Sequence, residues 1–145
     1  MLISYEDRLV LWNKLRTENA NNRLGDCLTN VNNWWQMLPI DKHHLHWEDE
    51  KNWPDPWDIL ADGIFCDLAK SLGIIYTLYF MDRPDIYEIK LAETTEGHSL
   101  VLVNDGDYIL NWAPNEILNI STAKLQIHKT MGCISCNQQN KLRQI

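Results

Sequence analysis

The stretch EGHSLVLVNDGDYILNW, Glu96 to Trp112, constrains the fold more than any other part of the chain. Two runs rich in Val, Leu, Ile and Tyr flank Asp105-Gly106. An Asp-Gly pair in that setting marks a two-residue hairpin turn, because both central residues must adopt positive φ. Centring the turn there pairs Asn104 with Asp107, Val103 with Tyr108 and, further out, Leu100 with Asn111. His98 shares the face of Leu100 and lies diagonally across from Asn111. At that diagonal an Asn oxygen can accept from one imidazole nitrogen and fix the tautomer, leaving the other nitrogen to act as a base. An ordinary hairpin edge with a polar pair facing a cleft explains the same residues without chemistry. Val101, Val103, Tyr108 and Leu110 on the opposite face are expected to pack.

The rest of the second half reads as further strands: IIYTLYFM, then DRPD as a turn, IYEIKLA, and later AKLQIHK. The first half reads helical. Ser4 is placed to cap a helix through Arg16, with Tyr5, Leu9, Trp12 and Leu15 on one face. A second helix is expected from Asp26, with Cys27, Val31, Trp34 and Leu38 at helical spacing before Pro39. DKHHLHWEDEKNWPDP reads as a polar loop. Asp55 then caps a third helix with Pro56 at its first position, where a missing N–H costs nothing, running towards Leu72 and Gly73. Helices followed by an antiparallel meander are the pattern of an α+β domain, N-terminal helices packed on an antiparallel sheet. One domain over residues 1–136 and a polar C-terminal tail over 137–145 are expected.

Composition narrows the function. A formal charge of −7 without clustered Lys and Arg argues against nucleic acid and against anionic membranes as partners. MLISYEDRLVLW has no basic start followed by a sustained apolar stretch, so no signal peptide is read. LGIIYTLYFM is about half of what a spanning helix requires. Four cysteines in a 145-residue chain are no secreted disulfide framework, and a reducing cytoplasm is the expected location.

In the third helix Trp57, Leu60, Ile64, Leu68 and Leu72 form one stripe, and Cys66 falls roughly opposite Ile64, at about 100° per residue. Free cysteine is usually buried, so this position calls for either a second packing surface or a reactive role. If the helix breaks at Gly63, Cys66 enters the first turn of a new helix, where unpaired N–H groups stabilise a thiolate. If it runs through, that stabilisation is lost. The residues leave both open.

CDLAKSLGI, later strands, then GHSLVLVNDGDYILNW together resemble the transglutaminase-like branch of the papain-like cysteine-protease fold. The resemblance spans roughly Pro56 to Pro114. It implies Cys66 as nucleophile, His98 as general base and Asn111 as the residue orienting the imidazole, with the LG pair as the exit of the nucleophile's helix. It further implies the Cys66 backbone N–H as the default oxyanion donor, Gln36 being a remote candidate. Asn111 stands where transglutaminases have Asp, although papain-like proteases use Asn. WPDPWDILADGIFCDLAKSLGIIYTLYFM is also similar to uncharacterised small proteins of tailed phages, which implies a viral origin and a place in the particle or host cytoplasm.

GCISC puts Cys133 and Cys136 at C-x-x-C spacing with His128 nearby; Cys27, His43, His44 or His46 would have to complete a zinc site. With no second ligand pair, unremarkable thiols are favoured, and no metal or cofactor is expected. A thioredoxin-type site would need a βαβ setting, which is missing. Two functions remain. The first is a thiol hydrolase or acyltransferase acting on an amide or thioester of a peptide or acyl substrate through Cys66, His98 and Asn111. The second is a catalytically idle assembly protein contacting neighbouring virion proteins, with surface Trp such as Trp47 or Trp53 as anchors. The enzyme is favoured because all three side chains occur in order.

Overall fold

A computed structural model describes residues 4–38, 45–63 and 66–134, so the expected tail lies outside the described residues. Helix α1 spans Tyr5–Asn19, started by Ser4, whose hydroxyl accepts from the Asp7 N–H at 3.1 Å. Helix α2 spans Leu24–Gln36 and buries Cys27, Leu28, Val31 and Trp35. The deep indole is thus Trp35, with Trp34 packed edge-on against it and only partly buried. Trp47–Asn52 forms a short 3-10 segment within the expected polar loop. Helix α3 spans Pro56–Asp62, with the Asp55 carboxylate accepting from the Asp58 N–H at 2.8 Å and Pro56 in the first turn.

The open question at Gly63 resolves as a break. Gly63 takes φ 68, a left-handed residue of the kind that ends helices, and donates to Ile59 O. A new helix, α4, runs Asp67–Met81 with Cys66 as its N-cap.

α4 corrects the expectation of a strand at IIYTLYFM and of a helix stopping at Gly73. Every residue from Leu68 to Leu78 is buried. A helix enclosed on all sides has no polar face to betray its period, and its β-branched and aromatic residues then read as strand. Gly73 is not an exit. A Cβ there would come within 2.4 Å of the Trp35 ring, so the glycine admits the close approach of α2. Four residues on, Thr77 Oγ1 accepts from both the Trp12 and the Trp35 indole N–H, at 2.8 and 3.0 Å, and donates to Gly73 O.

Five antiparallel strands follow: β1 Ile89–Thr94, β2 Ser99–Val103, β3 Tyr108–Ala113, β4 Glu116–Leu118 and β5 Ile127–Ile134, in the order β4-β3-β2-β1-β5. The expected register holds at Val103↔Tyr108 and continues to Val101↔Leu110. Leu91, Val101, Val103 and Leu110 join the helical core, with Tyr108 packed against it. The outer face, Ala92, Leu100, Leu102 and Ile109, is covered by Leu118, Ala123, Leu125 and Ile127. AKLQIHK is therefore only partly strand: Ala123 and Leu125 pack over the sheet before β5 begins at Ile127. No helix among the described residues is long and apolar enough to cross a membrane.

Candidate active site

The break at Gly63 puts Cys66 at the positive end of the buried helix α4. Cys66 is 3% exposed, its sulfur accepts from the Leu45 N–H at 3.4 Å, and its carbonyl receives the Lys70 N–H. A cysteine off the apolar stripe of one long helix is thereby replaced by a cysteine at the start of another.

His98 sits immediately before β2, with its N–H on Thr94 Oγ1. Its Nε2 lies 2.7 Å from the main-chain oxygen of Asn111. A carbonyl only accepts, so Nε2 carries the proton and Nδ1 is the nitrogen left for proton transfer. Nε2 is also 3.5 Å from Asp67 Oδ1, on the residue following Cys66. The Trp112 ring packs 5.3 Å from the imidazole, centroid to centroid.

Asn111 meets His98, but not as expected. The anticipated carboxamide–imidazole hydrogen bond is replaced by one to the Asn111 backbone. Asn111 takes φ 70 in the middle of β3, which breaks the strand's alternation and turns its side chain inward beside the face of Leu110. Asn is one of the few non-glycine residues that tolerate this region. The side chain is fully buried, not at an edge facing a cleft. Its Oδ1 accepts from Gln36 Nε2, and its Nδ2 lies within hydrogen-bond reach of Asp67 O, Asp67 Oδ1, Ser71 Oγ and Ser99 O. Asn32 supports it from α2, accepting from the Asn111 N–H and donating to Ala113 O. Gln36 is thus part of the site, with its amide engaged by Asn111.

Sequence reasoning missed Asp67, Asn32, Ser99 and Trp112. The signals were present: an acid directly after Cys66, and an Asn and Gln on the edge of α2 one turn apart. Asp67 Oδ2 accepts from the Ser99 N–H. Burial raises the Asp67 carboxyl above its usual range, against the opposing pull of Ser99 N–H, His98, Lys70 and Asn111. Burial lowers the Lys70 ammonium, whose Nζ donates to Gln36 O and Leu38 O at the end of α2.

Solved structures share this arrangement of elements. The chain superposes on calcium-bound Legionella pneumophila LapG with a TM-score of 0.71 and 14% identity, covering 99% of this chain and 92% of LapG. A second LapG structure gives 0.69 and 17%, covering 91% and 84%, and the EGTA-treated form 0.69 and 17%, covering 91% and 83%. The fold is the transglutaminase-like α+β fold, shared with LapG. No protein-family model and no curated protein matches the chain.

LapG binds calcium in one of these structures. Here no group of three or more His, Cys, Asp or Glu among the described residues is arranged to hold a metal ion. Of the zinc candidates among the described residues, Cys27 is buried in α2, where burial raises its thiol against the pull of Arg83, and His128 Nε2 pairs with Glu93 at 2.8 Å. The Cys133 side chain, Cys136, His43 and His44 lie outside the described residues. A cavity of about 610 Å³ opens beside the site, lined by Thr95, Glu96, Trp112, Leu118, Ala123 and Leu125 among others. Trp112 is the wall common to the cavity and the imidazole.

Proposed function

We propose that the protein is a transglutaminase-like thiol hydrolase or acyltransferase that opens an amide or thioester through Cys66, His98 and Asn111. The observation that supports it most is the histidine's geometry. Asn111 O fixes the Nε2–H of His98 beside the first turn of the helix that Cys66 caps. The Cys66 thiol gives its proton to His98 Nδ1, and the thiolate attacks the carbonyl carbon. The developing oxyanion is met by the backbone N–H of Cys66 at the helix start. His98 returns the proton to the departing amine or thiol, leaving an acyl group on Cys66. Water or an amine, deprotonated by His98, then releases it. Asn111 acts through its main-chain oxygen and through the position it imposes on β3. The cavity behind Trp112 has the size of a small-molecule or side-chain site, with Leu118, Ala123 and Leu125 beside Thr94, Glu96 and Lys124, and it receives a substrate side chain.

The test is acyl-enzyme formation from a p-nitrophenyl ester. A burst of p-nitrophenol, with an acyl adduct mapped to Cys66 and lost in Cys66→Ala and His98→Ala, is the expected result. A burst that survives in Cys66→Ala, or none in the parent protein, overturns the reading.

One observation favours the assembly reading. Trp57 and Phe80 pack 5.6 Å apart yet stay 42% and 38% exposed, and aromatic anchors dominate interfaces. Trp47 and Trp53, the anchors expected from sequence, are instead partly buried against the core. Under that reading Cys66→Ala fully rescues a null strain, whereas Trp57→Ala does not.

A further inference from the structure

Asp67 is anchored more firmly than an acid in the first turn of a helix requires. Acids favour that position for the helix dipole alone, usually with their carboxylates in water. The Asp67 side chain, though 41% exposed, is in addition tied across to two strands. Ser99 N–H of β2 donates to Oδ2, and the Asn111 amide of β3 lies 3.2 Å from Oδ1 and 3.0 Å from the Asp67 carbonyl. Both ends of the residue are thereby pinned, and Oδ1 is left 3.5 Å from His98 Nε2. The Asn111 carboxamide, the usual type of group to orient such a histidine, is engaged by Gln36, Asp67, Ser71 and Ser99.

We infer that Asp67 is the positioning acid of the site: its carboxylate, held by Ser99 and Asn111, supplies the negative charge that stabilises the His98 imidazolium formed when Cys66 gives up its proton. This rests on the proposed thiol chemistry and assigns the acid's role to the residue beside the nucleophile. The proton moves from Cys66 Sγ to His98 Nδ1, and Asp67 stays ionised throughout. Among the described residues, the charged and titratable groups around the Asp67 carboxylate are His98 ahead of β2, and Lys70 and Cys66 at the start of α4. Gln36 from α2 and Asn111 from β3 are neutral. Lys70 Nζ is turned to the carbonyls of Gln36 and Leu38, so His98 is the cation within ion-pair reach of Asp67.

The experiment is the pH profile of Cys66 alkylation by iodoacetamide, mapped by mass spectrometry, in the intact chain and in Asp67→Asn and Asp67→Glu. Asp67→Asn keeps an oxygen for the Ser99 N–H, removes the charge, and puts an amide NH2 in place of Oδ1 beside the Asn111 amide and His98 Nε2. Its half-maximal pH is expected to rise by about one unit, the scale of one opposite charge at this separation when half exposed. Asp67→Glu is expected to return the profile most of the way. A profile in Asp67→Asn that is unchanged or moves to lower pH overturns the assignment. Should that variant not fold, the parent protein decides: the Asp67 carboxyl carbon should show an NMR inflection at the pH where the His98 ring titrates, and its absence there overturns the assignment. If Cys66 of the parent labels no faster at pH 6 than an ordinary thiol, the thiol-enzyme reading fails first, independently of Asp67.

Discussion

Replacing Asn111 with alanine removes, at one buried position, the acceptor for Gln36 and the donor to Asp67, Ser71 and Ser99. Each buried group left unpaired costs roughly 1–3 kcal/mol, and alanine at φ 70 adds about 1 kcal/mol of left-handed strain. Urea unfolding should therefore show Asn111→Ala destabilised by at least about 2 kcal/mol. Asn111→Gly should recover about 1 kcal/mol of that, because glycine removes the strain but not the lost hydrogen bonds. Equal stability of the two variants would contradict the account of the backbone here. Asp67 makes a prediction of opposite character. Its folded-state pKa is raised by burial, so its contribution to stability is whole below the ordinary carboxyl value of about 4 and is lost as pH rises through the raised value. The thermal midpoint of the parent protein relative to Asp67→Asn should accordingly be highest below about pH 4 and decline as pH rises through the raised value. A relative midpoint that rises over that range would contradict the direction of the shift.

At the scale of elements, α4 is the part that sequence periodicity misread and packing explains. Its identity depends on Gly73 and Thr77, which join it to α1 and α2. Gly73→Ala drives a methyl into the Trp35 ring, and overpacking of this kind costs about 1–3 kcal/mol. Thr77→Val leaves the Trp12 and Trp35 indole N–H groups without their shared acceptor, at roughly 1–3 kcal/mol each. Urea midpoints of the two variants check both values, and Trp fluorescence should report the Thr77 change directly. The hairpin, by contrast, was legible in advance. Asp105-Gly106 marks its turn and apolar alternation its packing face, and both signals are local. The left-handed residue at Asn111 was not legible. Its N–H is held by Asn32 on α2, 79 positions away in the chain, and one such residue reverses the facing of its own side chain. Cys66 falls between these cases. Gly63 signalled a break, but only the structure decides between a glycine inside a helix and one that ends it.

Across the whole molecule, three separate devices converge on one point. The glycine stop of α3 brings Cys66 to the start of α4, His98 immediately precedes β2, and the polar edge of α2 holds β3 through Asn32 and Gln36. The order of Cys66, His98 and Asn111 was readable because each lies on a short local motif. Asp67 and Trp112 escaped because their roles exist only across elements. The sequence offers one C-x-x-C and no second ligand pair, so EDTA should leave the thermal midpoint unchanged, and a drop of several degrees would restore a metal to the account. The central claim, that Cys66 and His98 work as a pair, is tested most directly by the rate of iodoacetamide labelling at pH 6 in the parent protein and in His98→Ala. An ordinary thiol, of pKa about 8.5, is almost wholly protonated at that pH, whereas a thiolate held by an imidazolium reacts. The account predicts that Cys66 labels first, well ahead of Cys27, whose thiol is raised by burial, and that His98→Ala slows it by about tenfold or more. Preferential labelling of another cysteine, or an equal Cys66 rate in the two proteins, would contradict it.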